Sequence, residues 1–198
     1  MKENCKTSHM GSLRKKVDYL DSNKRKEQFS PESLLKLLPF NSRDNILDIG
    51  AGTGFLTIPA ARKTNGMVYA LDIDSNILEF TRSKANAEEL DNVTIIHGEM
   101  KDVKLPENSI DIVLASLVLH EIKSLPDTLH LINQVLKVHG YFACVELEEN
   151  QGQEHNHPRI SSTQMEQELK KAGFKVGKKL YPSEAIYVLI AQKVNYVP

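Results

Sequence analysis

The sequence predicts an α/β fold in which a doubly wound, mostly parallel sheet carries helices on both faces. Short apolar segments alternate with helix-like segments along the chain, and this alternation is typical of parallel sheets with crossover helices. A glycine-rich turn follows the first apolar strand, and the other prominent polar residues also follow predicted strands. Because such sheets bind ligands beyond the carboxyl ends of their strands, we expect the functional site along that edge.

The first half of the chain begins with a helix and then alternates between strands and helices. Ser30 is a suitable N-cap, Pro31 suits the first helical turn, and Pro39 ends this helix. Residues 45–49 are an apolar strand that runs into the glycines, and residues 53–63 have a helical composition. The elements that follow are a strand at 67–71, a helix at 75–88 with Ser75 as its N-cap, and a strand at 92–96.

The second half continues the alternation and ends in a hairpin-like pair of strands. The helix predicted at 126–137 has apolar residues at positions 129, 132, 135 and 136, which lie on one helical face. Gly173 is a typical C-terminal cap for a helix at 162–172. The predicted strands of this half are 109–115, 140–147, 175–180 and 185–192.

Composition and charge favour one cytoplasmic domain preceded by a basic arm. The net charge of −1 gives no general attraction to nucleic acid or anionic membranes. Residues 1–28 are expected to be a flexible arm or a lid, since residues 1–26 hold eight Lys or Arg and three Asp or Glu, and residues 29–198 form the domain. Cys5 and Cys144 suit a reducing compartment, with Cys144 buried in a strand. We expect neither a signal peptide nor a membrane span.

The glycine-rich turn at residues 50–54 discriminates between three kinds of ligand. A nucleoside triphosphate requires a lysine directly after the glycines, and none occurs before Lys63. A dinucleotide requires the third glycine at position 55, where the chain has Phe55. Asp48 just before the turn would repel a phosphate by roughly 1–4 kcal/mol at about 4 Å. A cationic ligand is favoured, and S-adenosylmethionine (SAM), with a sulfonium and an ammonium, has this chemistry.

A second carboxylate supports an adenosyl ligand. Asp72 ends the second predicted strand, where it can accept hydrogen bonds from both ribose hydroxyls. Ile73 follows and can pack against the adenine, and the glycines let the backbone approach the ligand because no Cβ intervenes. Two structural alternatives stay open: Asp48 as an acid that caps the turn, and Asp72 as the N-cap of the next helix.

These motifs resemble those of the class I, Rossmann-like SAM-dependent methyltransferases. The resemblance rests on residues 48–54 as Asp-x-Gly-x-Gly-x-Gly, on 70–74 (ALDID), on 97–100 (HGEM) and on 111–120 (DIVLASLVLH). It extends over about residues 29–192 and is greatest for the small-molecule branch typified by ubiquinone and menaquinone methyltransferases. It implies a seven-stranded sheet whose last strand is antiparallel.

The resemblance also implies which residues hold the cofactor. Asp72 would hold the ribose, Glu99 would accept from the adenine amino group, the Met100 N–H would face the ring, and Ser116 would lie beside the methyl donor. Glu99 and Met100 stand where the family often has Asp and Ala. The complete expected set is Asp48, Gly50, Ala51, Gly52, Gly54, Asp72, Ile73, Glu99, Met100 and Ser116.

Candidate catalytic residues follow the fourth and fifth strands. A methyl transfer needs a general base only if the acceptor loses a proton. His120 and Glu146 are the candidates, with the alternatives that His120 packs against a helix and that Glu146 faces solvent or caps a helix. His155 and His157 lie on a loop expected to cover the acceptor, and no third ligand is fixed by spacing, so we expect no metal. Tyr19 and the first helix are expected to close over the ligand.

The sequence therefore predicts a methyltransferase that uses SAM, releases S-adenosylhomocysteine and acts on a small molecule. The alternatives are a SAM- or nucleoside-binding regulatory module without transfer activity and a methyltransferase with a protein acceptor. An NAD-linked oxidoreductase is disfavoured by Phe55 and Asp48. A nucleic-acid substrate is disfavoured by an aromatic content of 6% without Trp.

Overall fold

A seven-stranded sheet forms the centre of the protein. The structure, a computed structural model, describes residues 17–18, 20–22, 29–149 and 158–195. The strands are β1 (Ile46–Ile49), β2 (Val68–Asp72), β3 (Val93–His97), β4 (Ile110–Ser116), β5 (Leu136–Leu147), β6 (Phe174–Ser183) and β7 (Ile186–Lys193). Their order is β3-β2-β1-β4-β5-β7-β6, with β1 to β5 parallel and β7 antiparallel to both neighbours. The predicted mostly parallel sheet with an antiparallel last strand is confirmed.

Helices cover both faces of the sheet. Neighbouring residues of a strand point to opposite faces and pack in different apolar cores. The helices are α1 (Pro31–Leu37), α2 (Thr57–Ala61), α3 (Ser75–Ala87), α4 (Leu125–Val135) and α5 (Ser162–Lys171). On β4, Val113 packs in the core covered by α4 and α5, whereas Ile112 packs in the core covered by α1 and α2. In the described part of the chain, no helix has the length and apolar character needed to span a membrane.

The start of α3 differs from the prediction. Its N-cap is Asp74, not Ser75, because Asp74 Oδ1 accepts hydrogen bonds from the N–H groups of Asn76 and Ile77 at 3.1 and 3.3 Å. A carboxylate at this position satisfies donors that the first helical turn leaves unpaired and also favours the positive end of the helix dipole. The alternative that Asp72 caps this helix is therefore wrong.

Two further boundaries depend on tertiary contacts. α2 begins only at Thr57, because residues 52–56 form turns that continue the glycine segment. β5 begins at Leu136 directly after α4, because Leu136 pairs with Ile110 of β4 ahead of an irregularity in the ladder. Cys144 is fully buried in the middle of β5, as expected, while Cys5 lies outside the described residues.

The strand order brings five chain segments to one edge of the sheet. β1 lies between β2 and β4, and all three run in the same direction. The chain leaves β1 towards β2 on one side and later enters β4 on the other side. Ligands bind at such a point of reversal in open α/β sheets. The loops after β1, β2, β4 and β5, together with the segment after β3, therefore form the expected site.

Candidate cofactor and catalytic site

The turn after β1 has the left-handed backbone that its glycines permit. Gly50, Gly52 and Gly54 have φ angles of +67°, +57° and +86°, which side-chain-bearing residues rarely adopt. A Cβ on Gly50 would lie 2.5 Å from a methyl carbon of Val118. A Cβ on Gly52 would meet nothing closer than Leu20 Cδ1 at 3.6 Å. Gly50 is thus required by packing, whereas Gly52 leaves room for a ligand to approach.

The same turn is fixed between β2 and α3 by its own backbone groups. The Gly52 N–H donates to Asp72 Oδ2 at 2.8 Å, and the Thr81 hydroxyl of α3 donates to the Gly52 carbonyl at 2.7 Å. The other oxygen of Asp72 accepts from the Asp74 N–H at 2.9 Å. Asp72 is only partly buried, so its carboxylate stands at the edge of the turn, next to the backbone of Gly52.

Asp48 lies beneath the turn and not on its surface. Its side chain is 2% exposed, and its Oδ2 accepts a hydrogen bond from the Thr57 hydroxyl at 2.6 Å. The carboxylate therefore ties β1 to the start of α2 and acts on a ligand only through its field. In a partly buried setting this field still favours a cation over a phosphate. Ala51, at 4% exposed, donates its N–H to the Leu71 carbonyl and is also part of this buried base.

The residues expected around the adenine follow β2 and β3. Ile73 is 68% exposed, so its apolar side chain is accessible to a flat ring. Met100 is 6% exposed and begins a short 3₁₀ turn. Glu99 lies on the surface, where it pairs with Lys101 at 2.6 Å. An adenine amino group would therefore share the Glu99 carboxylate with Lys101.

His120 and Glu146 form a hydrogen-bonded pair across the ends of β4 and β5. His120 Nδ1 lies 2.6 Å from Glu146 Oε2, and the Glu146 side chain is completely buried. Glu146 Oε1 accepts from the N–H groups of Val118 and Leu119 at 2.9 and 2.7 Å. The alternative that Glu146 faces solvent is wrong, since a buried carboxylate requires such donors. Glu146 caps the 3₁₀ turn at Leu119–Glu121 and contacts His120 simultaneously.

The pairing sets the protonation behaviour of His120. Its hydrogen bond to Glu146 raises the pKa of His120 above the usual value, against the opposing effects of burial and of the Arg159 charge. Because a carboxylate accepts at Nδ1, the neutral imidazole carries its proton there and Nε2 is free to take up another. Nε2 lies 3.9 Å from a carboxylate oxygen of Glu121, a side chain that is 70% exposed. The free nitrogen is thus the one on the side of the exposed Glu121.

Two further polar residues lie near the ends of β4 and β5. Ser116, 7% exposed, is the last residue of β4. Arg159 donates to the Glu148 carbonyl, just beyond β5, at 2.7 Å. Their positions extend the polar edge of the sheet from the glycine turn to the end of β5.

The described residues bring the expected cofactor and catalytic groups to one edge, and they fit a SAM-type ligand. A Cβ on Gly52 would meet Leu20 only at van der Waals distance, Asp72 lies at the edge of the turn, and Ile73, the next residue, is exposed. Tyr19, Glu154, His155 and His157 lie outside the described residues, and the individual ligand contacts remain predictions.

Sequence reasoning missed several residues that shape the site. Thr57 and Thr81 hold Asp48 and the glycine turn, Asp21 and Lys84 contact the same turn, and Arg159 acts on His120. Thr57 is three residues beyond the last glycine, and a hydroxyl so near an acidic motif is a usable signal. The other four come from distant elements and carry no local signal.

The chain resembles known proteins in its sequence. Residues 40–190 match the family model described as a methyltransferase domain. The chain is 32% identical over 114 residues to a demethylmenaquinone methyltransferase of Listeria welshimeri serovar 6b, and the match covers 57% of this chain and 48% of that protein. It is 36% identical over 110 residues to a demethylmenaquinone methyltransferase of Symbiobacterium thermophilum, covering 54% and 44%. The chain spans about half the length of these curated relatives.

A solved structure is similar over nearly the entire chain. The SAM-dependent methyltransferase from Aquifex aeolicus superimposes with a TM-score of 0.80 at 26% identity, covering 91% of this chain and 98% of that chain. The likeness therefore extends over most of the chain.

Proposed function

Because the chain belongs to the methyltransferase-domain family over residues 40–190, we propose that it transfers a methyl group to a small molecule that loses a proton on methylation. The domain is of the SAM-dependent class. The observation that carries the proposal is the buried His120–Glu146 pair at the same sheet edge as the glycine turn. A protein that only binds SAM has no need of a histidine with a free Nε2 at this place.

The cofactor, when bound, supplies an activated methyl group on a sulfonium. In the proposed arrangement, four residues of this chain hold the cofactor. Gly52 lets the backbone approach the methionine end, Asp72 accepts from the ribose hydroxyls, and Ile73 packs against the adenine. Asp48 favours the positive charge from beneath the turn. Holding the acceptor in line with the methyl group supplies much of the rate, since good alignment is worth roughly 7–11 kcal/mol.

In our proposal His120 is the general base. Glu146 holds the proton on Nδ1 and orients the ring, so Nε2 faces the acceptor as a lone-pair donor and takes its proton. The imidazolium that results is stabilised by the buried carboxylate 2.6 Å away. An acceptor with an acidic O–H or C–H group needs such a base.

The similarity to demethylmenaquinone methyltransferases supports a small acceptor. It covers about half of each relative's length, so the acceptor of this chain requires an experiment of its own. The net charge of −1 gives no general attraction to nucleic acid and is consistent with this choice.

Two measurements test the proposal. Isothermal titration calorimetry should detect binding of SAM and S-adenosylhomocysteine but not of NAD. Incubation with methyl-labelled SAM and a metabolite extract should then yield a labelled small product by mass spectrometry, and the His120→Ala variant should fail to form it. Binding of NAD without SAM would contradict the cofactor assignment, and a labelled protein or nucleic acid would contradict the acceptor assignment.

A further inference from the structure

A short N-terminal segment is fastened to the glycine turn by one carboxylate and one lysine. Lys84 Nζ, from the last turn of α3, donates to both oxygens of Asp21 at 2.8 and 2.9 Å and to the Thr53 carbonyl at 2.9 Å. The Thr53 hydroxyl donates to Asp21 Oδ1 at 2.7 Å. We call Asp21, Lys84 and Thr53 the clasp. It joins residues 63 positions apart in the chain.

The clasp fixes the neighbouring Leu20 over the open glycine. Leu20 Cδ1 is the nearest atom, at 3.6 Å, to the place where a Cβ on Gly52 would lie. Because Leu20 and Asp21 are consecutive, the hydrogen bonds of Asp21 help to fix the backbone that carries Leu20. An apolar group thereby stands against Gly52.

The bonds of the clasp lie on the α3 side of the turn and not on the side of Asp72. Thr53 is fully buried, so its hydroxyl and carbonyl provide a rigid attachment point. The other two clasp residues are more accessible, since the side chains of Lys84 and Asp21 are 37% and 36% exposed. An ion pair of that exposure is weak by itself. The segment is therefore held firmly enough to order Leu20 and loosely enough to release it.

We propose that Asp21 and Lys84 are positioning residues that keep Leu20 as a wall against the methionine end of the cofactor and so slow its release. This inference rests on the proposed function, since it requires SAM at Gly52. Asp21 and Lys84 act through Leu20 and touch no reacting atom. Loss of either residue frees the segment, so the cofactor leaves faster while the glycine turn itself stays folded.

Calorimetry with SAM and S-adenosylhomocysteine, and stopped-flow measurement of the release of S-adenosylhomocysteine, test the clasp in the full chain. Asp21→Asn and Lys84→Met should each raise both dissociation constants about fivefold, through faster release. The double variant should be no weaker than Lys84→Met, since that single variant already loses both the Asp21–Lys84 ion pair and the bond from Lys84 to the Thr53 carbonyl. Lys84→Arg, which keeps the charge, should recover part of the affinity.

The matched control is the Arg62–Glu88 ion pair. It is bidentate at 2.6 Å and joins the end of α2 to the end of α3. Arg62→Gln should change neither the dissociation constants nor the release rate. Melting temperatures of the unliganded variants report any general loss of stability.

The outcomes distinguish a failure of the clasp from a failure of the proposed function. If the wild-type chain binds SAM and the Asp21→Asn variant binds it equally well, the clasp is refuted and the proposed function stands. If the variants bind SAM more tightly, the segment competes with the cofactor and the inference is overturned. If the wild-type chain does not bind SAM, both proposals fail.

Discussion

The Glu146→Gln substitution tests the chemistry of the His120 pair with almost no change in shape. In the wild type, Glu146 Oε2 accepts from His120 Nδ1, and Oε1 accepts from Val118 and Leu119. A glutamine keeps Oε1 for the two backbone groups but places an amide N–H against Nδ1. Since two donors cannot share a hydrogen bond, the neutral imidazole must move its proton to Nε2. The nitrogen that should accept a proton then already carries one.

The expected decrease in the rate of methyl transfer follows from the loss of the general base. Removal of a positioned general base costs about 10²–10⁴ in rate, and an analogous exchange of carboxylate for amide acts through the wrong tautomer. The stability cost should be about 1–3 kcal/mol, because one buried hydrogen bond is altered while the packing stays. The affinity for SAM should change little, since a glutamine keeps the two backbone hydrogen bonds to Val118 and Leu119, and Val118 packs against Gly50.

The pH dependence of activity shows in which direction Glu146 shifts the pKa of His120. The pKa of His120 is raised by Glu146, and a base works only when neutral. Wild-type activity should therefore rise with pH through a pKa above the usual value for histidine. In Glu146→Gln that pKa should fall, so the residual activity should rise at a lower pH. The stability of the fold depends on pH in the opposite direction. Protonated His120 stabilises the fold at pH values below the pKa that this histidine has in the unfolded chain, and the contribution is lost as the pH rises through the pKa of His120 in the folded protein.

Nitrogen-15 NMR of the imidazole measures the tautomer and the pKa directly and needs no acceptor. The wild type should show the Nδ1–H form, and Glu146→Gln should show the Nε2–H form with a lower pKa. Glu121→Gln is the matched control, because that carboxylate is exposed and 3.9 Å from Nε2; it should leave the tautomer unchanged. An unchanged tautomer in Glu146→Gln, or a variant with the full wild-type rate of methyl transfer, would refute the reasoning.

Three further changes test the rest of the site. Asp72→Ala should weaken SAM binding by roughly 1–3 kcal/mol in calorimetry, and an unchanged dissociation constant would remove Asp72 from the ribose site. Gly52→Val should abolish SAM binding while circular dichroism still reports a folded chain, because the added Cβ would make only ordinary van der Waals contact with Leu20 Cδ1, at 3.6 Å, and would stand where the ligand approaches; wild-type affinity would show that no ligand approaches there. Arg159→Gln should raise the pKa of His120 in the NMR titration, because the guanidinium charge lowers it; a lower pKa would contradict this.

Much of the fold and part of the site were predictable because their signals are local. Apolar segments of strand length alternate with helical stripes, and this alone predicts the parallel sheet. The spacing of Gly50, Gly52 and Gly54 encodes a left-handed turn, and the observed φ angles of all three are positive. Asp72 is predicted at the site by its place at the end of a strand. These features depend on residues that are near one another in the chain.

Other features were not predictable because they depend on which elements become neighbours. His120 and Glu146 are 26 residues apart, and they meet only because β4 and β5 are adjacent in the sheet. The burial of Asp48 depends on Thr57 folding back over β1. Asp74 replaced Ser75 as the N-cap of α3, since both are good caps and the backbone geometry after β2 selects between them.

The sequence by itself determined the class of fold, the open glycine turn and the preference for a positively charged adenosyl ligand, because periodicity, backbone conformation and formal charge are properties of short segments. Only the tertiary structure decided that Glu146 is buried against His120 and that Asp21 and Lys84 meet at Thr53. The physical reason is that a hydrogen bond requires its two atoms within about 3 Å. Strand order and helix packing, and not sequence spacing, set that distance.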